Sequence, residues 1–321
     1  MLARDVTRTE VPIGAPRHCT RSLRGGGLVR HDRCVAGDLD VRLGAARSDT
    51  DPDRLVQLGC DLAEADRQGD AEWCFRRAVE LGEAWVSFNL GNALSAQQRW
   101  GEAVAAYEMA VDAGETDAWL NLGDALEQLG DLAGAMGAYR RSAEAGDSNG
   151  ALALAYSLKD QGERGEAEQF ARLAADMGND TAKAVVACWL WDRTRDPHLE
   201  AALRAGAEHY ASARADLAQL LAGSGRLSEA RSVLERGAKL GQVECWLPLG
   251  NLYWDEFDDE EAAEAAYRSG IAAGDGFSHL NLGRLLESRD DLDGAEEQYR
   301  LGVAAGDALA ATALRDLLDD R

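Results

Sequence analysis

The stretch Trp119–Asp147, WLNLGDALEQLGDLAGAMGAYRRSAEAGD, decides the fold of this chain. Within it, Leu122 and Leu126 lie four residues apart, and so do Ala135 and Tyr139, which is the spacing of one helix face. A glycine–aspartate pair separates the two apolar patterns at a point where one helix would end and another begin. The stretch therefore predicts two short amphipathic helices, here called A and B, that are joined by a tight turn.

The same pattern recurs eight times at a nearly constant interval of about 32 residues. The small residue of helix B shows the interval most clearly, at Ala71, Ala103, Ala135, Ala167, Leu199, Ala230, Ala263 and Ala295. A fixed period of this length is typical of stacked repeats, in which each unit packs only against its neighbours. The sequence therefore predicts an all-α fold, an α-solenoid of about eight antiparallel helix pairs over residues 51–307 with a capping helix at 308–321.

Two further columns predict how the helices pack. Helix A carries a glycine or alanine after a leucine, and helix B often carries an aromatic residue four positions after its small residue. Small contact residues let two helices approach closely. We expect the aromatic side chain to fill space toward the next unit, and the glycine that ends helix B to form a left-handed cap.

These columns resemble the tetratricopeptide repeat. Trp119, Leu122, Gly123, Ala135 and Tyr139 reproduce the W-x-x-L-G and A-x-x-x-Y pattern of that family. Several units end in Ala-Gly-Asp instead of the family's proline, and this ending is similar to that of the Sel1-like repeat. The resemblance implies an adaptor or scaffold that binds peptides or protein domains.

Charge narrows the class of partner. The chain has 34 Lys and Arg against 57 acidic residues, a net charge of −23. Residues 1–50 hold nine arginines and six acids, so the repeats carry about −26. A polyanion of this kind repels nucleic acids and anionic membranes, which favours a protein partner and, among proteins, a basic one. No apolar run approaches the length of a membrane span, and we expect a cytoplasmic location.

Residues 1–50 do not join the repeat. They contain three consecutive glycines, scattered arginines and no periodic apolar run, so we expect them to be disordered. The six cysteines show no metal-ligand spacing, and we expect reduced thiols, with a disulfide framework as the alternative. The excess of arginine over lysine, together with abundant alanine and glycine, indicates a GC-rich bacterial source of actinobacterial type.

The sequence contains none of the catalytic or cofactor motifs that carry a recognisable mechanism. It has five histidines without an H-x-x-x-H pair, and it lacks a glycine-rich phosphate loop and a G-x-S-x-G elbow. We therefore predict a protein that is not an enzyme and that holds no cofactor and no metal.

The candidate contact surface is the outward side of the A helices, which in resembling proteins lines the concave face of the superhelix. The candidate partner-binding residues are Phe88, Asn92, Asp124, Tyr156, Trp191, Asn251 and Trp254. We expect exposed aromatic rings and asparagines that bond an extended peptide backbone. The alternative is that the tryptophans wedge between neighbouring A helices or close the irregular fifth and seventh units.

The sequence thus predicts a protein–protein interaction scaffold. The alternative is a regulatory or sensor subunit that self-associates, or that controls a partner enzyme or signalling protein. The fifth unit is the least regular, because it has no turn glycine and lacks one residue near Tyr210. We expect a hinge there, with protease-sensitive segments at 193–197 or 207–212.

Overall fold

The computed structural model describes residues 36–319, and these residues form eighteen α-helices without a β-strand. The helices belong to two compact units, the first of which ends at Asn179 and the second of which begins at Asp180. Eight helix pairs follow one another along the chain and a single helix ends it. The predicted all-α repeat fold with a C-terminal capping helix is therefore confirmed.

In the first unit, one helix precedes four helix pairs. The single helix is α1 (Ala36–Ala46). The pairs are α2 (Pro52–Glu64) with α3 (Gln68–Glu80), α4 (Ser87–Ala96) with α5 (Trp100–Asp112), α6 (Ala118–Gln128) with α7 (Leu132–Glu144), and α8 (Ser148–Asp160) with α9 (Arg164–Asp176).

In the second unit, four helix pairs precede one helix. The pairs are α10 (Asp180–Thr194) with α11 (Glu200–Gly206), α12 (Ala211–Gly223) with α13 (Leu227–Lys239), α14 (Trp246–Phe257) with α15 (Glu260–Ala272), and α16 (Ser278–Ser288) with α17 (Leu292–Ala304). The last helix is α18 (Ala308–Asp319). The A helices of the chain are thus the even-numbered helices α2–α16, and the B helices are their odd-numbered partners.

The glycine of helix A lies against the aromatic ring of its own helix B. A Cβ atom on Gly123 would lie 2.4 Å from Cε1 of Tyr139, and one on Gly91 would lie 2.4 Å from Cε1 of Tyr107. Carbon atoms do not approach so closely without strain, so only glycine leaves room for the ring. The ring packs within its own helix pair, and the Tyr107 hydroxyl also reaches Asn121 of the next pair. The expectation that the side chain extends toward the next unit therefore holds for this hydroxyl and not for the ring.

Helix pairs without an aromatic ring on helix B have alanine, not glycine, at the facing position of helix A. Where helix B has a leucine at the ring position, helix A has alanine instead of glycine, as in Ala187 with Leu203 and Ala218 with Leu234. A smaller partner on helix B leaves space for a methyl group on helix A, and filling that space avoids a cavity.

The Ala-Gly-Asp endings at 145–147, 273–275 and 305–307 each connect a B helix to the helix that follows it. Gly146 has φ 91° and Gly306 has φ 89°, which is the left-handed conformation predicted for this position. The following aspartate then caps the next helix: the Asp147 carboxylate accepts from the Asn149 N–H at 2.9 Å, and Asp307 accepts from the Leu309 N–H at 2.8 Å. Glycine and aspartate therefore do at this boundary what a proline does in the commoner repeat.

Helix α1 lies within the segment for which disorder was predicted, so that prediction is wrong for residues 36–46. Leu39 is buried in the core of the first unit, and Arg42 forms a 2.6 Å salt bridge with Asp61 of α2. Asp40 forms a second 2.6 Å pair with Arg67. Leu39, Leu43 and Ala46, at i, i+4 and i+7, pack into this core, and the two ion pairs add to the contact. The segment therefore carries a short apolar signal, which spans only two helical turns. Residues 1–35 lie outside the described part of the chain.

The cysteines divide into two kinds. Cys74, Cys188 and Cys245 are buried free thiols, and burial raises the pKa of Cys74 to about 12, which keeps it protonated and unreactive. Cys60 takes part in a disulfide bond. The expectation of reduced thiols is therefore wrong for Cys60.

The contact between glycine and ring predicts opposite effects for two Gly→Ala substitutions in neighbouring helices. Gly123→Ala places a methyl group into the Tyr139 ring, and overpacking of this kind costs about 1–3 kcal/mol of unfolding free energy. Gly137→Ala has open space at its Cβ and is expected to gain about 0.5–1 kcal/mol, because alanine loses less backbone entropy in a helix. Urea unfolding measures both.

The double variant Gly123→Ala with Tyr139→Leu recreates the natural combination of Ala218 with Leu234. It is expected to be less destabilised than the sum of the two single variants by at least about 0.5 kcal/mol, since the clash is removed. Strict additivity of the three values would contradict the proposed contact.

The fifth helix pair is irregular where the sequence departs from the repeat. Helix α11 has only seven residues, and Arg195, after the end of α10, has φ 53°, a conformation that costs a non-glycine residue about 1 kcal/mol. Limited trypsin digestion is expected to cut first after Arg193 or Arg195, both of which are exposed. A first cut in another inter-helix turn, identified by mass spectrometry, would contradict this expectation.

Candidate functional site

An asparagine pair joins two neighbouring A helices of the first unit. Asn92 on α4 accepts two hydrogen bonds at its Oδ1, from the Tyr107 hydroxyl at 2.9 Å and from Nδ2 of Asn121 on α6 at 2.7 Å. The glycine of α4 brings the Tyr107 ring close to the A helix, so that its hydroxyl reaches the outward side of α4. These two donors fix which way the Asn92 amide points.

Two carboxylates continue this site on α6. The Tyr139 hydroxyl is 2.8 Å from Oδ1 of Asp124 and 2.9 Å from Oε2 of Glu127. Both acidic side chains are half-buried and lie within one turn of each other. Asn92, Asn121, Asp124 and Glu127 with their two tyrosines are here called the first cluster.

The second unit contains the same arrangement on α14–α17. Oδ1 of Asn251 accepts from the Tyr267 hydroxyl at 2.8 Å and from Nδ2 of Asn281 at 2.7 Å, and the Tyr299 hydroxyl donates to Oε2 of Glu287 at 2.5 Å. Arg284 stands where the first cluster has Asp124. Asn251, Asn281, Arg284 and Glu287 with their two tyrosines are here called the second cluster.

Burial keeps the two tyrosines that donate to asparagine, Tyr107 and Tyr267, in their neutral, hydrogen-bonding form. It raises the pKa of Tyr107 to about 12, with hydrogen bonds from Ser95 and Asn121 opposing the shift. Burial also raises the pKa of Tyr267, and the negative charge of Asp255 adds to that effect. The hydroxyls therefore remain donors to the asparagines throughout the physiological pH range.

The structure separates the predicted aromatic residues into two groups. Phe88 and Trp254 are half-buried on the A helices, as a contact residue can be. Tyr156 and Trp191 are only 4% and 6% exposed, so the expectation that their rings are exposed is wrong. Trp191 donates from Nε1 to Gln219 at 3.2 Å, and the Arg195 guanidinium lies 5.1 Å from the centre of its ring.

The sequence reasoning identified Asn92, Asp124 and Asn251 but missed Asn121, Asn281 and the tyrosine hydroxyls that hold the amides. The tripeptide Asn-Leu-Gly occurs at 121–123 and 281–283, but also at 89–91, where Asn89 belongs to neither cluster, so it is only a weak signal. The two asparagines of a pair lie 29 or 30 residues apart, and each tyrosine lies 15 or 16 residues from its asparagine. Periodicity alone reveals neither contact.

A comparison with family models supports the repeat assignment directly. The tetratricopeptide repeat model matches residues 56–118 and 88–150. No curated protein matches the chain by sequence.

Solved structures extend the similarity over most of the chain. The c5321 antigen of uropathogenic Escherichia coli, described as having an SLR fold, has a TM-score of 0.67 at 20% identity, over 88% of this chain and 67% of that one. A Sel1 repeat protein from Oxalobacter formigenes has a TM-score of 0.52 at 21% identity, over 66% of this chain and 99% of that one. Residues 56–150 thus match the tetratricopeptide repeat, and most of the chain shares the fold of the SLR and Sel1 repeat structures.

The APC/C hetero-tetramer Cut9–Hcn1 shares the fold of this repeat protein at 14% identity and a TM-score of 0.57. The alignment covers 88% of the repeat protein and 58% of the longer neighbour. The comparisons indicate no catalytic family. Within residues 36–319, no helix is both long and apolar enough to cross a bilayer, and no three acidic, histidine or cysteine side chains converge to hold a metal.

Proposed function

We propose that this repeat protein is a non-enzymatic scaffold whose A-helix face binds an extended segment of a protein partner, on what is the concave face in resembling proteins. The observation that carries the proposal is the asparagine pair, which occurs once in each compact unit. Phe88 and Trp254 flank these pairs at half-buried positions and offer apolar contact beside the amides.

In each asparagine pair, one NH₂ group and one carbonyl oxygen are not used by the hydrogen bonds within the cluster. Oδ1 of Asn92 is used twice, whereas its Nδ2 has no partner in the described part of the chain, and neither has Oδ1 of Asn121. Asn251 and Asn281 repeat this arrangement. A peptide unit presents one C=O and one N–H, so each pair matches one backbone unit of an extended chain.

The partner is expected to be basic near the first cluster, where Asp124 and Glu127 lie beside the amides. The net charge of −23 acts in the same direction by attracting cationic segments over a distance. A cytoplasmic location is part of the proposal. The free thiols of Cys74, Cys188 and Cys245 agree with it, whereas the disulfide bond at Cys60 argues against it.

The test is a conservative variant that keeps the internal hydrogen bonds. Asn92→Asp and Asn251→Asp retain the oxygen that accepts from tyrosine and asparagine, and they replace only the outward-facing donor. Peptides are first selected from a phage-displayed random dodecapeptide library on the wild-type chain. The double variant is then expected to bind these peptides at least about tenfold more weakly in fluorescence anisotropy, since an amide donor is replaced by a negative acceptor.

The matched control is Gln128→Glu, which makes the same amide-to-acid change at the exposed end of α6. It is expected to leave peptide affinity and the melting temperature unchanged. Unchanged affinity of the double Asn→Asp variant, at unchanged helicity, would contradict binding on the A-helix face.

A regulatory role through self-association is the second candidate, and the terminal helix α18 favours it. Leu309 and Leu318 are 41% and 46% exposed on this helix, although leucine is a residue that folding usually buries. Sedimentation velocity is expected to show a mass that rises with protein concentration, and Leu309→Ser with Leu318→Ser is expected to abolish the rise. A wild-type chain that remains a monomer at the highest attainable concentration would remove this candidate.

A further inference from the structure

The first and second clusters are two copies of one design. Each uses two consecutive helix pairs, a ring on the glycine of each A helix, and one asparagine that accepts from a tyrosine and from the asparagine of the next A helix. The asparagine–asparagine distance is 2.7 Å in both, and the asparagine–tyrosine distances are 2.9 and 2.8 Å. None of the other A helices carries asparagine at the position after its glycine or alanine.

The two clusters differ in charge at one equivalent position. Asp124 follows the second glycine of the first cluster, whereas Arg284 follows the second glycine of the second cluster. The glutamates are equivalent, because Glu127 and Glu287 each accept a hydrogen bond from the tyrosine of their own pair. Among the cluster residues, the difference in charge therefore comes from Asp124 and Arg284 alone.

Most of the described arginines form salt bridges along or between the helices, such as Arg99 with Glu72 at 2.6 Å and Arg289 with Glu260 at 2.6 Å. Arg284 is exposed and has neither a salt bridge nor a side-chain hydrogen bond within residues 36–319. Arg164 is exposed in the same way, but it lies outside both clusters, whereas the Arg284 guanidinium is available beside the second cluster.

The surroundings of Arg284 form a place for a side chain. Arg284 lines a cavity of about 260 Å³ and is the only cation among its described lining residues, beside two carboxylates; the other lining residues are Glu287, Tyr299, Leu309, Thr312, Ala313 and Asp316. Burial raises the pKa of Tyr299, and its hydrogen bond to Glu287 adds to this, while the Arg284 charge opposes the shift. The guanidinium is therefore close to the tyrosine that completes the second cluster.

We propose that the chain carries two docking sites of one design, one in each compact unit, and that they select extended segments of opposite charge. The first cluster takes a segment with a basic side chain opposite Asp124. The second takes a segment with a carboxylate side chain opposite Arg284, which a guanidinium binds with two parallel hydrogen bonds. The inference rests on the proposed function, and it makes the protein a scaffold that holds two different segments at once.

The test uses the full chain and peptides from the random dodecapeptide library. Selection on the wild type is expected to enrich two families of peptides, one rich in Lys and Arg and one rich in Asp and Glu. Asp124→Asn keeps an oxygen for the Tyr139 hydroxyl and is expected to weaken only the basic family, about tenfold. Arg284→Gln is expected to weaken only the acidic family by a similar factor.

Two matched controls make the same change of charge away from both clusters. Asp112→Asn lies at the exposed end of α5, and Arg164→Gln lies at the exposed start of α9. Both are expected to leave the affinity of each family unchanged. Isothermal titration is expected to give one bound peptide of each family per chain, with the second binding normally when the first is saturating.

Three outcomes separate this inference from the proposed function on which it rests. A single family, or two families that compete for one site, would overturn the pair of opposite sites and leave the scaffold in place. Loss of both families in either charge variant would also overturn it. Peptides that bind the Asn92→Asp, Asn251→Asp double variant as tightly as the wild type would overturn the proposed function itself.

Discussion

The contact between the glycine of helix A and the aromatic ring of helix B is the constraint on which the candidate sites depend. With no side chain at Gly91 or Gly250, the ring packs against helix A, and its hydroxyl reaches the outward side of that helix. There it meets the asparagine that follows the glycine. The residue that permits close packing and the residue offered to a partner are therefore neighbours in the sequence.

This arrangement gives the asparagine a fixed orientation before any partner arrives. An exposed amide would lose rotational freedom on binding, and ordering a side chain costs about 0.5–1.5 kcal/mol. Here the tyrosine and the second asparagine have already ordered it through two hydrogen bonds to one oxygen. The tyrosine hydroxyl is satisfied in the same step, so the arrangement also removes a buried polar group that would otherwise destabilise the fold.

The repeat itself was predictable from the sequence because each unit must supply the same helix faces and caps at the same spacing. The period, the glycine caps and the position of Asn92 and Asn251 all follow from single columns of residues. The predictions that failed concerned the exposure of single side chains and the contacts of helix α1, which lies outside the repeat. Trp191 is buried because Gln219, 28 residues away, and Arg195 cover it, and a column of residues does not show which neighbour lies above it. Helix α1 was missed because its apolar pattern, Leu39, Leu43 and Ala46, spans only two turns and does not share the register of the repeat.

The pairing of small and large residues, by contrast, is visible in the sequence once its cause is known. Gly91 accompanies Tyr107 and Gly123 accompanies Tyr139, while Ala218 accompanies Leu234. In seven of the eight helix pairs a ring accompanies glycine or a leucine accompanies alanine, and the fourth pair, Ala155 with Ala171, is the exception. This complementarity distinguishes the pairs that bring a hydroxyl to the A-helix face from those that only pack.

A crystal structure of the chain with a selected peptide tests the account most directly. The account predicts that a peptide carbonyl oxygen lies within hydrogen-bonding distance of Nδ2 of Asn92 or Asn251, and that the adjacent N–H faces Oδ1 of Asn121 or Asn281. A peptide bound along the B helices, or asparagine amides turned away from their tyrosines in the complex, would contradict it.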